Sequence, residues 1–442
     1  MSKKDIGIKI LVEVSRVILE ATFIFSGFVK AVDPYGTAYK IGDYFAAFNL
    51  STLSFLSFPL SALQSIAEFA IGACLLFGLY RKWNSRLILA VMVFMTVLTL
   101  YLAIANPVED CGCFGDALVI TNWQTFYKNI ILLVCSIIVF RYCERMSNFF
   151  TGKTYWLAFL YIFVFISLFV FRNYIYEPLF DFRPYKTGAD ISGLMGVEEG
   201  KGREEKSMLV YAKDGVEKEF TEENYPWEDS TWVFVRMKTK VLNEGEKSPI
   251  KDFVITELAF DTKKTEIIAR NDITSDILSD SSYVFLMLSS SLEDMNMSYL
   301  SNFEDVNNYA NYNGYKFYCV TSSTTDEIVN WSKENVINFK FCTMDERAIK
   351  TVVRSNPGMI LLKNGVVVNK WANIEVPAEE DLKKPLEELP YGQPVDTERQ
   401  DRKNLFYLCA TFILPLLCFK GLDFLLFRKR KKEGDVSTGS KE

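Results

Sequence analysis

Residues 106–123, "NPVEDCGCFGDALVITNW", are a polar interval between two apolar runs, about 86–105 and 123–141. Each run can cross a hydrocarbon core, which takes roughly 20 helical residues. The interval is therefore a turn at a membrane surface, and it carries two cysteines one glycine apart. Four further stretches have the same apolar character, about 8–29, 60–80, 155–172 and 404–427. Together they predict a polytopic α-helical membrane bundle. The first has no small-residue cleavage site behind it and carries internal charge, so it is expected to be an anchor rather than a removed signal.

Positive charge orients the bundle. Lys3, Lys4 and Lys9 precede the first span, Arg81, Lys82 and Arg86 join the second and third, Arg141, Arg145 and Lys153 join the fourth and fifth, and "FRKRKKEG" follows the sixth. All four clusters share one side if both termini are cytoplasmic. The turn with the cysteines and the polar region 173–403 then face outward, into a periplasm or the extracellular space.

The chain of 442 residues has 55 acidic and 49 basic residues, and no basic face or nucleic-acid motif, so a nucleic-acid partner is not expected. It has no histidine. That removes Ser-His-Asp and Cys-His triads, imidazole bases, and histidine ligation of a metal. Of nine cysteines, Cys74, Cys135, Cys409 and Cys418 lie in apolar spans and are expected to be small buried hydrophobes. Cys143 falls at an inner end, and Cys319 and Cys342 fall on soluble strands, "YKFYCV" and "NFKFCT". Only Cys111 and Cys113 are close in sequence.

A C-x-C pair closes a ring only with unusual backbone geometry, which the intervening glycine permits. Strained, exposed disulfides are the labile or catalytic ones, and they persist outside the cytoplasm. Structural thiols or a loop staple are the bland alternative. A metal would need two further ligands from Glu109, Asp110 or Asp116, and no metal site is assigned. Those acids disfavour a thiolate unless a cation offsets them, and Lys30 is placed to do so. Asn122 and Trp123 look like an N-cap and an interfacial aromatic.

The first span also carries Glu13, Arg16 and Glu20, and the second carries Glu68; charges at membrane depth default to functional hypotheses. Counted from their outer ends, Glu20 and Glu68 both lie roughly 12–14 Å deep. Facing each other, one would be protonated and would suit a proton route beneath the dithiol. An Arg16–Glu20 pair that only holds the bundle together is the structural alternative.

The chain divides into membrane helices over 1–150 and a fifth over 151–175, a β-rich module over 176–248, an α/β domain over 249–390, a linker over 391–403, a sixth helix over 404–427 and a basic tail over 428–442. "SMLVYAKDGVEKEFT" alternates around Asp214-Gly215, a hairpin pair, and "STWVFVRMKTKVL" predicts another strand. Further on, "SYVFLML" and "YKFYCVTS" predict strands, with helices near 296–313 and 324–335 and a hairpin closed by Asn364-Gly365.

At "FIFSGFVKAVDPYG", "GLYRK" and "DCGCFGDALVITNWQTFYKN" the sequence resembles the DoxX/MauE family of four-helix membrane proteins, in the form found in Bacteroidetes-type bacteria. The resemblance covers about residues 8–142. It implies a link to periplasmic thiol–disulfide processing, MauE by analogy to maturation of a disulfide-rich methylamine dehydrogenase subunit and DoxX to a quinone-linked oxidase complex. On that resemblance Cys111 and Cys113 are the redox pair. Residues from about 249 resemble a TlpA-type thioredoxin-like domain, with "SNPGMILLKNGVVV" similar to its cis-proline loop and final hairpin. Where a C-x-x-C should follow the strand stands "SSSLEDMNMS", so the domain is not expected to be a dithiol oxidoreductase by itself.

The expectation is an inner-membrane protein in which Cys111 and Cys113 exchange disulfides with periplasmic protein thiols and pass electrons to a membrane quinone or a redox partner. Glu20, Lys30 and Glu68 support the redox or proton chemistry. Asn356 and Pro357 mark a partner-binding loop, where a cis bond would have a local reason. Membrane lipid is the surrounding partner. The competing class is a non-catalytic scaffold or accessory subunit whose soluble domain docks a partner.

Overall fold

The computed structural model describes residues 3–108, 110–196, 204–213, 216–221, 232–243, 248–250, 252–261, 267–335 and 337–438. Its N-terminal part is helical: α1 (Lys3–Val32), α2 (Pro34–Ala47), α3 (Ser57–Phe77), α4 (Arg81–Ala105), α5 (Asn122–Arg141) and α6 (Tyr155–Ile175). Five helices of the described residues are long and apolar enough to cross a membrane, Ser51–Phe77, Arg81–Ala105, Asn122–Arg141, Tyr155–Ile175 and Thr397–Leu425. This is a multi-pass membrane protein. Helix α1 is long enough at 30 residues, but Glu13, Arg16, Glu20 and Lys30 set it apart from the other five. It packs against α3, α5 and α6 instead, where protein groups can partner its charges.

Two glycines let α1 and α3 approach. A Cβ on Gly27 would stand 2.3 Å from the Phe69 backbone N, and one on Gly72 would stand 2.7 Å from the Ile24 backbone N. Small residues at a crossing are how membrane helices gain van der Waals contact without a hydrophobic driving force. At the far end of this pair, Arg16 Nε donates to Leu75 O (2.9 Å) and Nη2 to Leu76 O (2.6 Å). Those carbonyls end α3, where intrahelical partners run out; Leu75 O also accepts from Gly78 N (3.1 Å).

The sheet-containing part follows α6. It comprises α7 (Ile191–Met195), β1 (Glu204–Lys213), β2 (Val216–Thr221), β3 (Val233–Asn243), β4 (Thr256–Phe260), β5 (Ile267–Asp272), α8 (Thr274–Leu278), β6 (Val284–Ser289), α9 (Leu300–Asn313), β7 (Lys316–Thr321), α10 (Thr325–Asn335), β8 (Phe341–Thr343), α11 (Glu346–Val352), β9 (Gly358–Lys363) and β10 (Val366–Ala372). Strands β1–β3 form a separate three-stranded sheet in the order β2-β1-β3. Its expected turn at Asp214-Gly215 lies outside the described residues, although the antiparallel register ends at Lys213 opposite Val216.

The larger sheet has seven strands in the order β10-β9-β6-β7-β8-β4-β5, parallel across β6-β7-β8 and antiparallel at both flanks. Along β6 the side chains alternate between two cores. Phe285 and Met287 meet α9 and α10, while Val284, Leu286 and Leu288 meet α7, α8 and α11. Burial on both faces explains why β6 is a continuous apolar run. Asn364 (φ 50°) and Gly365 (φ 74°) close the β9–β10 hairpin in the left-handed geometry an Asn-Gly pair favours. The chain then returns to the membrane as α12 (Thr397–Thr438), which packs on α6 and is tied by Asp423, accepting from Thr151 N (3.1 Å) and Thr154 Oγ1 (3.1 Å). Cys74 and Cys135 are buried as expected, whereas Cys409 and Cys418 are exposed on α12, because that helix has little protein around it.

Gly27→Val should lower the thermal unfolding midpoint of the detergent-solubilised protein, at a cost of about 1–3 kcal/mol. Gly7→Val, whose Cβ meets nothing within 4 Å, is the control and should leave the midpoint in place.

Candidate functional site

The dithiol turn is held from both ends and from below. Asn106 ends α4 with a positive φ of 46°, and Asn122 Nδ2 donates to Asn106 Oδ1 (2.9 Å) and to Val108 O (2.9 Å), lacing the turn shut. The cap of α5 is Thr121, in a capping box with Gln124, one residue before the Asn122 expected from sequence. Trp123 is half-exposed beside it. Gly112 (φ 65°) supplies the left-handed residue that turns the two sulfurs toward each other, and its N donates to Asp110 Oδ1 (2.8 Å).

Cys111 Sγ and Cys113 Sγ are 3.0 Å apart, at hydrogen-bond distance for two thiols. Both residues are nearly covered, at 9% and 8% exposure, among Leu102, Met95, Leu98, Tyr44 and Val108. Tyr44 Oη donates to Cys111 O (2.9 Å). Beneath Cys113, its carbonyl and Glu68 Oε2 both lie 2.7 Å from Ser26 Oγ, while Lys30 Nζ donates to Ser26 Oγ (2.8 Å) and to Glu68 Oε2 (2.6 Å). One hydroxyl has one proton to donate, so Ser26 serves either the carboxylate or the Cys113 carbonyl at a given moment. Gln64 Nε2 holds the other Glu68 oxygen at 2.8 Å.

The hydrogen bond from the Cys111 thiol holds the Cys113 thiol below the ordinary thiol range; burial opposes this, and the ammonium groups of Lys128 and Lys30 assist it. Cys111 is pushed up by the same bond and by burial. Lys128 Nζ also sits 4.2 Å from the centroid of the Phe114 ring. Lys30, Glu68, Lys128, Asn129 and Cys113 line a cavity of about 40 Å³ with Met92 and Met95. That is room for about two or three waters.

The supporting residues divide. Lys30 and Glu68 lie under the dithiol, but Glu20 does not: it pairs with Arg16 (3.4 Å), at the other end of α1. The ten residues from Glu20 to Lys30 span about 15 Å of helix. Counting from helix ends placed the two carboxylates level because it took the ends as level. Ser61 Oγ donates to Pro34 O (2.6 Å), so α3 starts four residues above the end of α1.

On the soluble side, the Asn356–Pro357 bond is cis. The Asn356 amide donates to Ser291 O (2.9 Å) and accepts from Ser289 Oγ (2.7 Å), and Pro357 is buried, so this loop is closed on its own domain. The neighbouring Arg354 reaches the membrane part instead, with Nε 3.0 and 3.1 Å from the Asp33 carboxylate and Nη2 3.4 Å from Asp116.

Sequence reasoning missed Ser26, Gln64, Lys40, Tyr44, Lys128 and Arg354. Ser26 and Gln64 had a signal, since each lies four residues before Lys30 or Glu68 and so shares its helix face. Arg354 had none, its partners being 321 and 238 residues away.

A bundle of apolar helices with a buried dithiol turn defines the class: a multi-pass membrane protein with a cysteine pair in the turn between two of its helices, α4 and α5. Residues 8–142 match the family described as methylamine utilisation protein MauE, so the chain carries a MauE-family domain there. Residues 206–244, which hold most of β1–β3, match a domain of unknown function, DUF8463. No curated protein and no solved structure matches the chain.

Alkylation of Cys113 in the reduced protein should rise with pH through a midpoint below the ordinary thiol value, because the thiolate is the reacting form. Lys128→Met should move that midpoint upward. A wild-type midpoint near the ordinary thiol value of about 8.5 would refute the electrostatic account.

Proposed function

We propose that the MauE-type domain is an accessory factor in protein maturation, working as a thiol–disulfide exchanger at the periplasmic face of a bacterial inner membrane, with both termini cytoplasmic. In the oxidised form, a partner protein's thiolate attacks one sulfur of the Cys111–Cys113 bond and forms a mixed disulfide. A second partner thiolate attacks that mixed disulfide, so the partner leaves oxidised and the turn is left as a dithiol. Two electrons and two protons then pass to a second redox protein, which is reduced as the Cys111–Cys113 bond re-forms. Cys113 is the nucleophile of the reduced pair, and Lys30, Glu68 and Ser26 hold or move a proton beside it. The observation that carries this reading is the pair itself, two sulfurs 3.0 Å apart with Lys30 and Lys128 beside Cys113.

The soluble residues 249–390 fit a thioredoxin-like fold that has lost its dithiol. The parallel β6–β7 pair, the antiparallel β9 and the position of Pro357 just before β9 support this, and "SSSLEDMNMS" follows β6 where the cysteines would stand. The domain then serves the turn rather than doing chemistry of its own.

The near-complete cover over both cysteines favours a second reading, in which the turn is a structural element of a scaffold. One comparison decides between them. Cys111→Ser with Cys113→Ser should leave partner proteins in cells with their cysteines reduced or mispaired, as read by mass spectrometry of trapped thiols. Partner disulfides identical to wild type would sink the exchange reading and leave the scaffold.

A further inference from the structure

Helix α2 lies between the two halves of the molecule. Its inner side meets the dithiol turn: Tyr44 Oη bonds Cys111 O at 2.9 Å, Lys40 Nζ pairs with Asp110 Oδ2 at 2.7 Å, and the Lys40 stem lies 3.3 Å from where a Gly112 Cβ would stand. Its outer side meets the soluble part. Arg347 Nη2 is 3.4 Å from Asp43, the Lys350 ammonium is 5.3 Å and the Arg354 guanidinium 5.5 Å from the Tyr39 ring centroid, and Arg354 grips Asp33, which caps α2 by accepting from Gly36 N (2.9 Å). Arg347 and Lys350 share one face of α11, and Arg354, two residues past its end beyond the extended Val353, adds to the same cationic edge toward α2.

The character of this seam matters as much as its position. Every contact just named on the outer side is an ion pair or a cation over a ring, and among the described residues no apolar cluster joins the sheet domain to the helices. A permanent interface would bury apolar side chains; polar inter-domain seams are the ones that open. Beneath it, α4 covers the thiols from one side with Met95, Leu98 and Leu102, and α2, which is not one of the spans, closes the Cys111 side with Tyr44 and Lys40.

We propose that α2 is a lid on the Cys111–Cys113 pair and that α11 of the same chain holds the lid shut, so that a partner protein reaches the pair only when the soluble domain lifts. This deepens the exchange reading, on which its biological use rests, but the closure itself concerns access and not redox chemistry. Arg347, Lys350 and Arg354 form the docking face, and Asp33, Tyr39 and Asp43 receive it.

The test uses the reduced full-length protein in lipid nanodiscs, labelled with a bulky polyethylene-glycol maleimide and followed by mass spectrometry of the peptide that carries residues 111–113. Arg347→Glu with Lys350→Glu should speed labelling roughly fivefold or more, the size expected from losing and reversing two exposed charge contacts. Adding Asp43→Lys to that pair should slow labelling again, which a merely misfolded variant would not do. Arg354→Gln should also speed labelling. Wild-type rates in both Arg347→Glu/Lys350→Glu and Arg354→Gln, with unchanged melting, would overturn the lid. Labelling needs no redox partner, so the lid can stand if the partner-disulfide experiment fails, and fall if that experiment succeeds.

Discussion

The close crossing of α1 and α3 is the constraint on which the site depends. Because neither Gly27 nor Gly72 has a Cβ, the two backbones touch, and one turn further along Ser26 and Lys30 on α1 come within hydrogen-bond reach of Glu68 on α3. A Cβ at either glycine would have to move out from 2.3 or 2.7 Å to ordinary contact distance, which is enough to stretch those bonds beyond hydrogen-bond reach. The Cys113 carbonyl hangs from the same hydroxyl, so the height of the dithiol turn above the bundle follows from the spacing of two helices.

A charged helix at the centre of a bundle is costly unless each charge is partnered. Helix α1 meets that condition with two separate clusters. Arg16 is surrounded by Glu13, Glu20, Ser147 and the last carbonyls of α3, and this end is a structural clasp. Lys30 and Glu68 form the other cluster, beside a cavity wide enough for water and next to a thiol of lowered pKa. The difference in surroundings separates a charge that fastens from a charge with chemistry within reach.

The spans, the turn, the two glycine-flanked cysteines and most of the strands were legible because each is a local pattern: an apolar run, an alternation, an Asn-Gly pair. The depth of Glu20 was not, since residue counting measures distance along one helix and the stagger between α1 and α3 is set by their packing. Helix α2 was passed over for want of an apolar run, although Asp33 followed by Pro34 is a start signal in its own right. The cap of α5 slipped by one residue because Thr121 and Asn122 are both good caps and only the reciprocal bond to Gln124 chooses between them. Arg354 could not be found at all, as its role exists only once two distant parts of the chain have met.

The soluble domain is tethered twice, by α6 where it leaves the membrane and by α12 where the chain returns. It can rise from the bundle but cannot diffuse away. Its concentration at its own docking face therefore stays high, in the millimolar range for short connections. A seam of one covered ion pair, Arg354–Asp33, and a few more exposed cationic contacts is then enough to hold these parts of one chain without an apolar interface.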